Sequence, residues 1–293
     1  MAMSLTTPGK IRELQIKLYR KAKNEPEFRF HQLYDKVYRE DILNHAYALA
    51  RANDGAPGVD GESFEDIESR GLAEWMKGLG EDLRNKTYQP QPVRRVMIEK
   101  PGGGERPLGI PTIRDRVAQT AAKLVLGPIW EADLEPNAYG YRPRKSAQGA
   151  IQKVDELLHQ GYTDIVDADL SKYFDTIPHS ELMQCVARRI VDRHMLHLIK
   201  MWLKVPVEER DDNGKRRLTG GKDNDRGTPQ GGVISPALAN LYMNRMLKGW
   251  RQTRQGEKLR AQIVNYADDF VILSRGKAKE ALDWTGRVLE RLK

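Results

Sequence analysis

The stretch Ala261-Gln-Ile-Val-Asn-Tyr266-Ala267-Asp268-Asp269-Phe270-Val-Ile-Leu273 decides how this chain folds and what it is built to do. Two apolar runs flank three residues, Ala267-Asp268-Asp269, so the spacing predicts two short strands joined by a tight turn. Asp is a common turn residue, and the dipeptide alone would say no more than that. A second acid changes its weight. Asp164-Ile-Val-Asp-Ala-Asp169-Leu170 reads as a buried strand that ends in a carboxylate. Acids at the ends of neighbouring strands can converge from far apart in sequence. Two carboxylates ~4 Å apart repel by about 4 kcal/mol at an effective dielectric of 20, so such a cluster asks for a proton or a cation. Hard oxygen ligands select Mg²⁺ or Mn²⁺, and two such ions can clamp both oxygens of a phosphoryl transfer.

Outward from the acids, the order from residue 163 is strand, helix, loop, helix, strand, turn, strand, helix. That order predicts an α+β split βαβ layer, with the loop Gly227-Thr-Pro-Gln-Gly-Gly232 feeding a helix at Ser235-Pro236. Val205 to Leu218 reads as a hairpin turning at Asp211-Asp-Asn-Gly214. In the first half, Val93 to Ile110 is another hairpin with a glycine tip at Pro101 to Gly104. Helices are expected over about 10–23, 27–52, from 62 with Ser63 and Asp66 near its start, 114–132 and 145–159. Asn53 to Gly61 is a dense turn cluster.

Lys plus Arg number 49 and Asp plus Glu 41, a net charge of +8 that suits a polyanionic partner. The basic residues are clustered. Lys10, Arg12, Lys17, Arg20, Lys21 and Lys23 fall on one helix, and further groups lie at Arg188-Arg189-Arg193, Lys215-Arg216-Arg217 and Arg245 to Arg260. Phosphate neutralisation is the expected source of their affinity. No apolar run approaches the ~18 residues of a membrane span. The stretch Met1-Ala-Met-Ser-Leu5 lacks the basic start and apolar run of a secretory signal, and the lone Cys185 cannot form an internal disulfide, so a cytoplasmic setting, in a bacterial or organellar interior, is expected.

Tyr266-Ala-Asp-Asp269 between apolar strands resembles the central motif of reverse transcriptases. Asp169-Leu-Ser-Lys-Tyr-Phe-Asp175 is similar to their first aspartate block, and Gly227 to Pro236 to their Pro-Gln-Gly block. Arg106-Pro-Leu-Gly-Ile-Pro-Thr-Ile-Arg-Asp-Arg116, Ala138-Tyr-Gly-Tyr-Arg-Pro-Arg-Lys-Ser146 and Gly58-Val-Asp-Gly61 extend the series. Over roughly residues 8–290 the chain looks like a group II intron-encoded reverse transcriptase, or maturase.

The resemblance implies a right-hand polymerase fold. It places an N-terminal basic extension and fingers over 1–160 and a ferredoxin-like palm over 161–293, with about 188–226 returning to the fingers. It implies Asp169, Asp268 and Asp269 as catalytic acids that, with the backbone carbonyl of Leu170, hold two Mg²⁺ ions, Mn²⁺ being the alternative. Phe174 would pack under the incoming sugar and exclude a ribose 2′-OH. Lys100 and Arg106 would grip the triphosphate of the dNTP, and Gln230 the nascent base pair. The implied partners are structured group II intron RNA, bound through the cations of residues 10–23, and an RNA template with a DNA primer.

The family continues past the catalytic hairpin into further strands and a helical thumb. The chain therefore reads as a piece that stops before the thumb, weakly active or inactive alone, and self-associating through open palm surface. Two other readings stay open: an RNA-binding splicing cofactor without polymerase turnover, and a related bacterial defence or diversity-generating reverse transcriptase.

Overall fold

The computed structural model describes residues 5–99, 103–170, 172–210 and 215–292. In chain order the elements are α1 (Gly9–Asn24), α2 (Tyr34–Val37), α3 (Glu40–Asn53), α4 (Phe64–Asn85), β1 (Val93–Glu99), β2 (Glu105–Ile110), α5 (Ile113–Asp133) and α6 (Ala147–His159). There follow β3 (Asp164–Asp169), α7 (Tyr173–Thr176), α8 (His179–Ala187), α9 (Arg193–Leu203), β4 (Pro206–Arg210) and β5 (Arg216–Gly220). The last are α10 (Ser235–Gln252), α11 (Gln255–Lys258), β6 (Ala261–Tyr266), β7 (Asp269–Ser274) and α12 (Ala278–Leu292). Two compact units result: one of the chain through Asp133 with His179–Ser235, the other of Leu134–Pro178 with Pro236 onward.

The first unit is organised on α5. Most of this helix is buried on every side, from Ile113 and Val117 to Ile129 and Trp130, because α1, α2 and α3 all pack on it. The capping signal at residue 63 works as written. Ser63 Oγ accepts the N–H of Asp66 at 3.1 Å, and the Asp66 carboxylate accepts the N–H of Ser63 at 2.9 Å. The helix expected over 27–52 is broken. Phe30 makes a parallel bridge to Ile190, and the N–H groups of Leu33 and Tyr34 donate to the Asp192 carboxylate at 2.8 and 2.9 Å. Those long-range partners hold the chain extended, and helix begins again at Tyr34 and at Glu40.

The two expected hairpins of this unit form, and they join. β1 pairs β2 antiparallel and β4 in parallel, giving one sheet of order β2-β1-β4-β5. The turn 211–214 lies outside the described residues, as do Pro101 and Gly102 of the other tip.

The second unit carries the antiparallel sheet β3-β7-β6. β3 and β6 run parallel with β7 between them, the split βαβ arrangement. Helix α6 packs on β6 and β7, burying Ala150 and Leu157 against Val264 and Leu273. The expectation that β3 is a buried strand does not hold. Ile165 is 49% exposed and Asp167 and Asp169 are exposed, because the covering helix sits over the other two strands of that face.

Candidate active site

β6 and β7 meet at a two-residue turn, Ala267-Asp268, with Tyr266 and Asp269 as the last paired residues. Ala267 adopts the left-handed region at φ +59°, which costs a non-glycine residue roughly 1–2 kcal/mol. Behind the turn runs Ala138-Tyr139-Gly140. Ala138 bridges Asn265, and a Cβ built on Gly140 would fall 2.5 Å from the Ala267 nitrogen.

Asp169, the last residue of β3, is the register partner of Asp269, the first of β7. Partners in an antiparallel pair project to one face with Cβ atoms about 4.5–5.5 Å apart, and like charges there repel. Asp268 is half-buried in the turn beside them, while Asp169 and Asp269 are exposed. The Asp269 carboxyl is pushed above the usual carboxylate range, first by burial and then by the negative charge of Asp268, Asp169 and Asp167. Asp167 was not singled out from the sequence. Its place two residues before Asp169 puts it on the same face by strand periodicity, and that was the available signal.

Asp269 and its three acidic neighbours offer the hard oxygen donors that a divalent cation takes. Among the described residues no group of three or more His, Cys, Asp or Glu side chains is already gathered around a common point. The Leu170 carbonyl accepts the N–H of Tyr173 at 3.1 Å, which leaves a second lone pair on that oxygen. Phe174 is half-buried on α7, edge-on to the Tyr173 ring at 5.9 Å, and is not one of the core phenylalanines. Tyr173 anchors this short helix by donating its hydroxyl to the Ala239 carbonyl at 2.8 Å.

The remaining residues implied by the resemblance belong to the first unit. Arg106 is exposed on β2 opposite Ile98. Lys100 lies outside the described residues. Gln230 is half-buried, and its carbonyl accepts the Gly109 N–H at 2.6 Å. The contact is glycine on glycine: at Gly231, with φ +101°, a Cβ would lie 2.1 Å from the Gly109 oxygen. The Pro-Gln-Gly loop thus docks on β2. His179 holds the other end of that loop, its Nε2 2.6 Å from the Gly227 carbonyl.

On α1, Ile11, Leu18 and Ala22 face inward, leaving Lys10, Arg12, Lys17, Arg20 and Lys23 exposed. Ile16 and Tyr19 are 39% exposed among them. Lys21 is engaged internally, 2.6 Å from Glu25 and 4.1 Å from the Phe28 ring centroid. The Lys23 ammonium donates to the Ala132 carbonyl at 3.2 Å. Arg189 leaves the expected basic track altogether. It is 4% exposed and spends its guanidinium on Asp133 at 3.1 Å and on the Ala22 carbonyl at 2.8 Å.

The reverse transcriptase (RNA-dependent DNA polymerase) family matches residues 98–293. Protein YkfC of Escherichia coli (strain K12) is 35% identical over 299 residues, covering 91% of this chain and 76% of that protein. The group II intron-encoded protein LtrA of Lactococcus lactis subsp. cremoris is 34% identical over 222 residues, covering 75% of this chain but 35% of LtrA. Among solved structures, a partial Cas6-RT-Cas1–Cas2 complex shares the fold, with a TM-score of 0.52 at 22% identity over 89% of this chain and 42% of the other. The chain belongs to the reverse transcriptases, the RNA-directed DNA polymerases, and within them to the group II intron-encoded reverse transcriptase/maturase family. Membership implies divalent-cation catalysis in general. Among the described residues no helix is long and apolar enough to cross a membrane.

Proposed function

We propose that the second unit is the palm and the first the fingers and N-terminal extension of an enzyme that copies RNA into DNA. The observation that carries the reading is Asp169 opposite Asp269 with Asp268 in the adjoining turn. Asp169, Asp268, Asp269 and the Leu170 carbonyl would hold two Mg²⁺ ions, with Mn²⁺ as the alternative. Bound there, the ions supply charge stabilisation for the attacking and leaving oxygens of phosphoryl transfer. The Phe174 ring excludes a ribose 2′-OH and so selects dNTPs. Arg106, with Lys100, binds the triphosphate; guanidinium is suited to two phosphate oxygens at once. Gln230 contacts the nascent base pair from a loop stiffened against β2.

The chain spans about a third of LtrA, so the activity of a whole protein of that kind is itself part of the proposal. Structured group II intron RNA is the proposed second partner, as a splicing cofactor would require. The exposed cations of α1, with Tyr19 and Ile16 between them, support it: structured RNA is recognised by shape and phosphates, with aromatic rings available to unpaired bases.

The test is primer extension on an RNA template, with RNA binding measured alongside. The chain is expected to extend weakly at most and without processivity, because alignment of the primer terminus can contribute about 7–11 kcal/mol and the proposed palm and fingers alone do not clamp the duplex. Asp268→Asn keeps the shape but removes a charge, and should lower the rate by at least about 10²-fold. RNA binding should stay within a few-fold. An unchanged rate would remove these acids from the site.

A further inference from the structure

We infer that Asn265 is a positioning residue for the carboxylates at the β6–β7 turn; the inference rests on the polymerase reading above. Asn265 is 1% exposed and precedes Tyr266 at the end of β6. Its side-chain Nδ2 donates to the Ala267 carbonyl at 2.9 Å and to the Asp269 carbonyl at 3.1 Å. Those two carbonyls lie on either side of Asp268. One amide therefore ties both flanks of the residue whose carboxylate must be aimed.

The brace is itself anchored. The Asn265 N–H donates to the Asn137 carbonyl at 3.0 Å, and the Asn265 carbonyl accepts the Tyr139 N–H at 2.8 Å. The Asn137 side chain donates to the Ile263 carbonyl at 3.1 Å, so residues 137–139 are locked alongside β6. From α10, Asn240 donates to the Gly140 carbonyl at 2.6 Å, holding that glycine where its backbone meets Ala267. Three asparagines, from a loop, a helix and a strand, thus hold the turn and the segment behind it.

The chemistry of the position selects asparagine. Two carbonyl oxygens must be satisfied from a buried atom, and a carboxamide NH₂ offers two donors without charge. Aspartate has no donor when ionised. Lysine or arginine would set a positive charge beside acids meant for a cation. Leucine or alanine would leave both carbonyls without this donor. The turn needs the tie because Ala267 sits at positive φ and because Asp269 opens β7 directly opposite another acid, Asp169.

The experiment compares the wild-type chain with Asn265→Ala, the milder Asn265→Ser, and Leu247→Ala. Leu247 is buried on α10 of the same unit and controls for general loss of stability. Hydrogen–deuterium exchange is followed without divalent cations, and primer extension is measured separately for kcat and for the KM of dNTP. Asn265→Ala should raise exchange over residues 264–271 by about tenfold, with Asn265→Ser between it and wild type and the control unchanged there. A small misplacement of a reacting group can cost about 10²-fold, so kcat should fall toward that extent while KM stays within a few-fold. If Asn265→Ala does not fold, Asn265→Ser carries the comparison. Exchange at the turn no faster than in Leu247→Ala, or an unchanged kcat, overturns the inference. A wild-type chain without extension activity would remove polymerase turnover from this chain alone, and the exchange data would then decide whether Asn265 braces the turn.

Discussion

The backbone of Gly140 meets the backbone of Ala267 so closely that a single added methyl at residue 140 would stand 2.5 Å from the Ala267 nitrogen. Neither partner is the flexible end of a side chain, so Gly140→Ala must move the turn, the segment behind it, or both. Overpacking of this kind costs about 1–3 kcal/mol. The variant should melt lower than wild type and lose extension activity by more than its stability loss explains. Parallel melting curves and initial rates at a temperature where both proteins are folded check this; wild-type rates would show that the turn tolerates displacement.

Asp169→Asn should separate stability from function. In metal-free buffer it removes one like charge from a directly opposed pair, a relief of about 0.2–1 kcal/mol. The melting temperature should rise by up to a few degrees. Added Mg²⁺ should then stabilise wild type more than the variant, since a ligand of the native state stabilises by mass action. A variant less stable than wild type without cations would mean the opposed acids are not under repulsion.

Asp192 ties two distant segments, capping α9 through the N–H groups of His194 and Met195 while accepting from Leu33 and Tyr34. Burial alone would raise its carboxyl, but these four donors outweigh burial and hold it below the usual range. A depressed native value means the stabilisation is complete above the ordinary carboxylate pKa near 4 and is lost as pH falls through the native value. Asp192→Ala should therefore cost about 1–3 kcal/mol at pH 7. In urea titrations the gap to wild type should narrow below about pH 4. A gap independent of pH would point to lost packing alone.

Phe174→Val should relax sugar selection. Phe174 is half-buried on α7 and is not a core residue, so the change opens space without hollowing the core. The ratio of ribonucleotide to deoxyribonucleotide incorporation should rise. An unchanged ratio would leave the ring a packing role only.

RNA binding should weaken steeply with salt, with a log–log slope near −4 if about 5 phosphates are neutralised. Charge reversal at Lys10, Lys17 and Arg20, all exposed on α1, should cost more affinity than reversal at Lys277 and Lys279. Lys21 is left out because it is paired with Glu25. Equal losses from both sets would remove α1 from the interface.

Much of this protein is local and so was legible in its sequence. The β6–β7 hairpin, the capped start of α4, the strand ending at Asp169 and the order of the split βαβ layer all follow from alternation, turn residues and caps acting over a few positions. What the tertiary structure decided is what depends on a distant partner. Phe30 and Ile190 broke an expected helix, β4 found β1 and merged two hairpins into one sheet, and Arg189 was drawn from a basic surface into the interior by Asp133 and the Ala22 carbonyl of α1. The glycines at 140 and 231 matter because backbones approach there, and a missing Cβ does not name the chain that fills its place. Asn265 illustrates the same limit. As a sequence letter it is a polar residue in a mostly apolar strand, and only the fold brings two turn carbonyls and the loop backbone of Asn137 and Tyr139 to it at hydrogen-bonding distance.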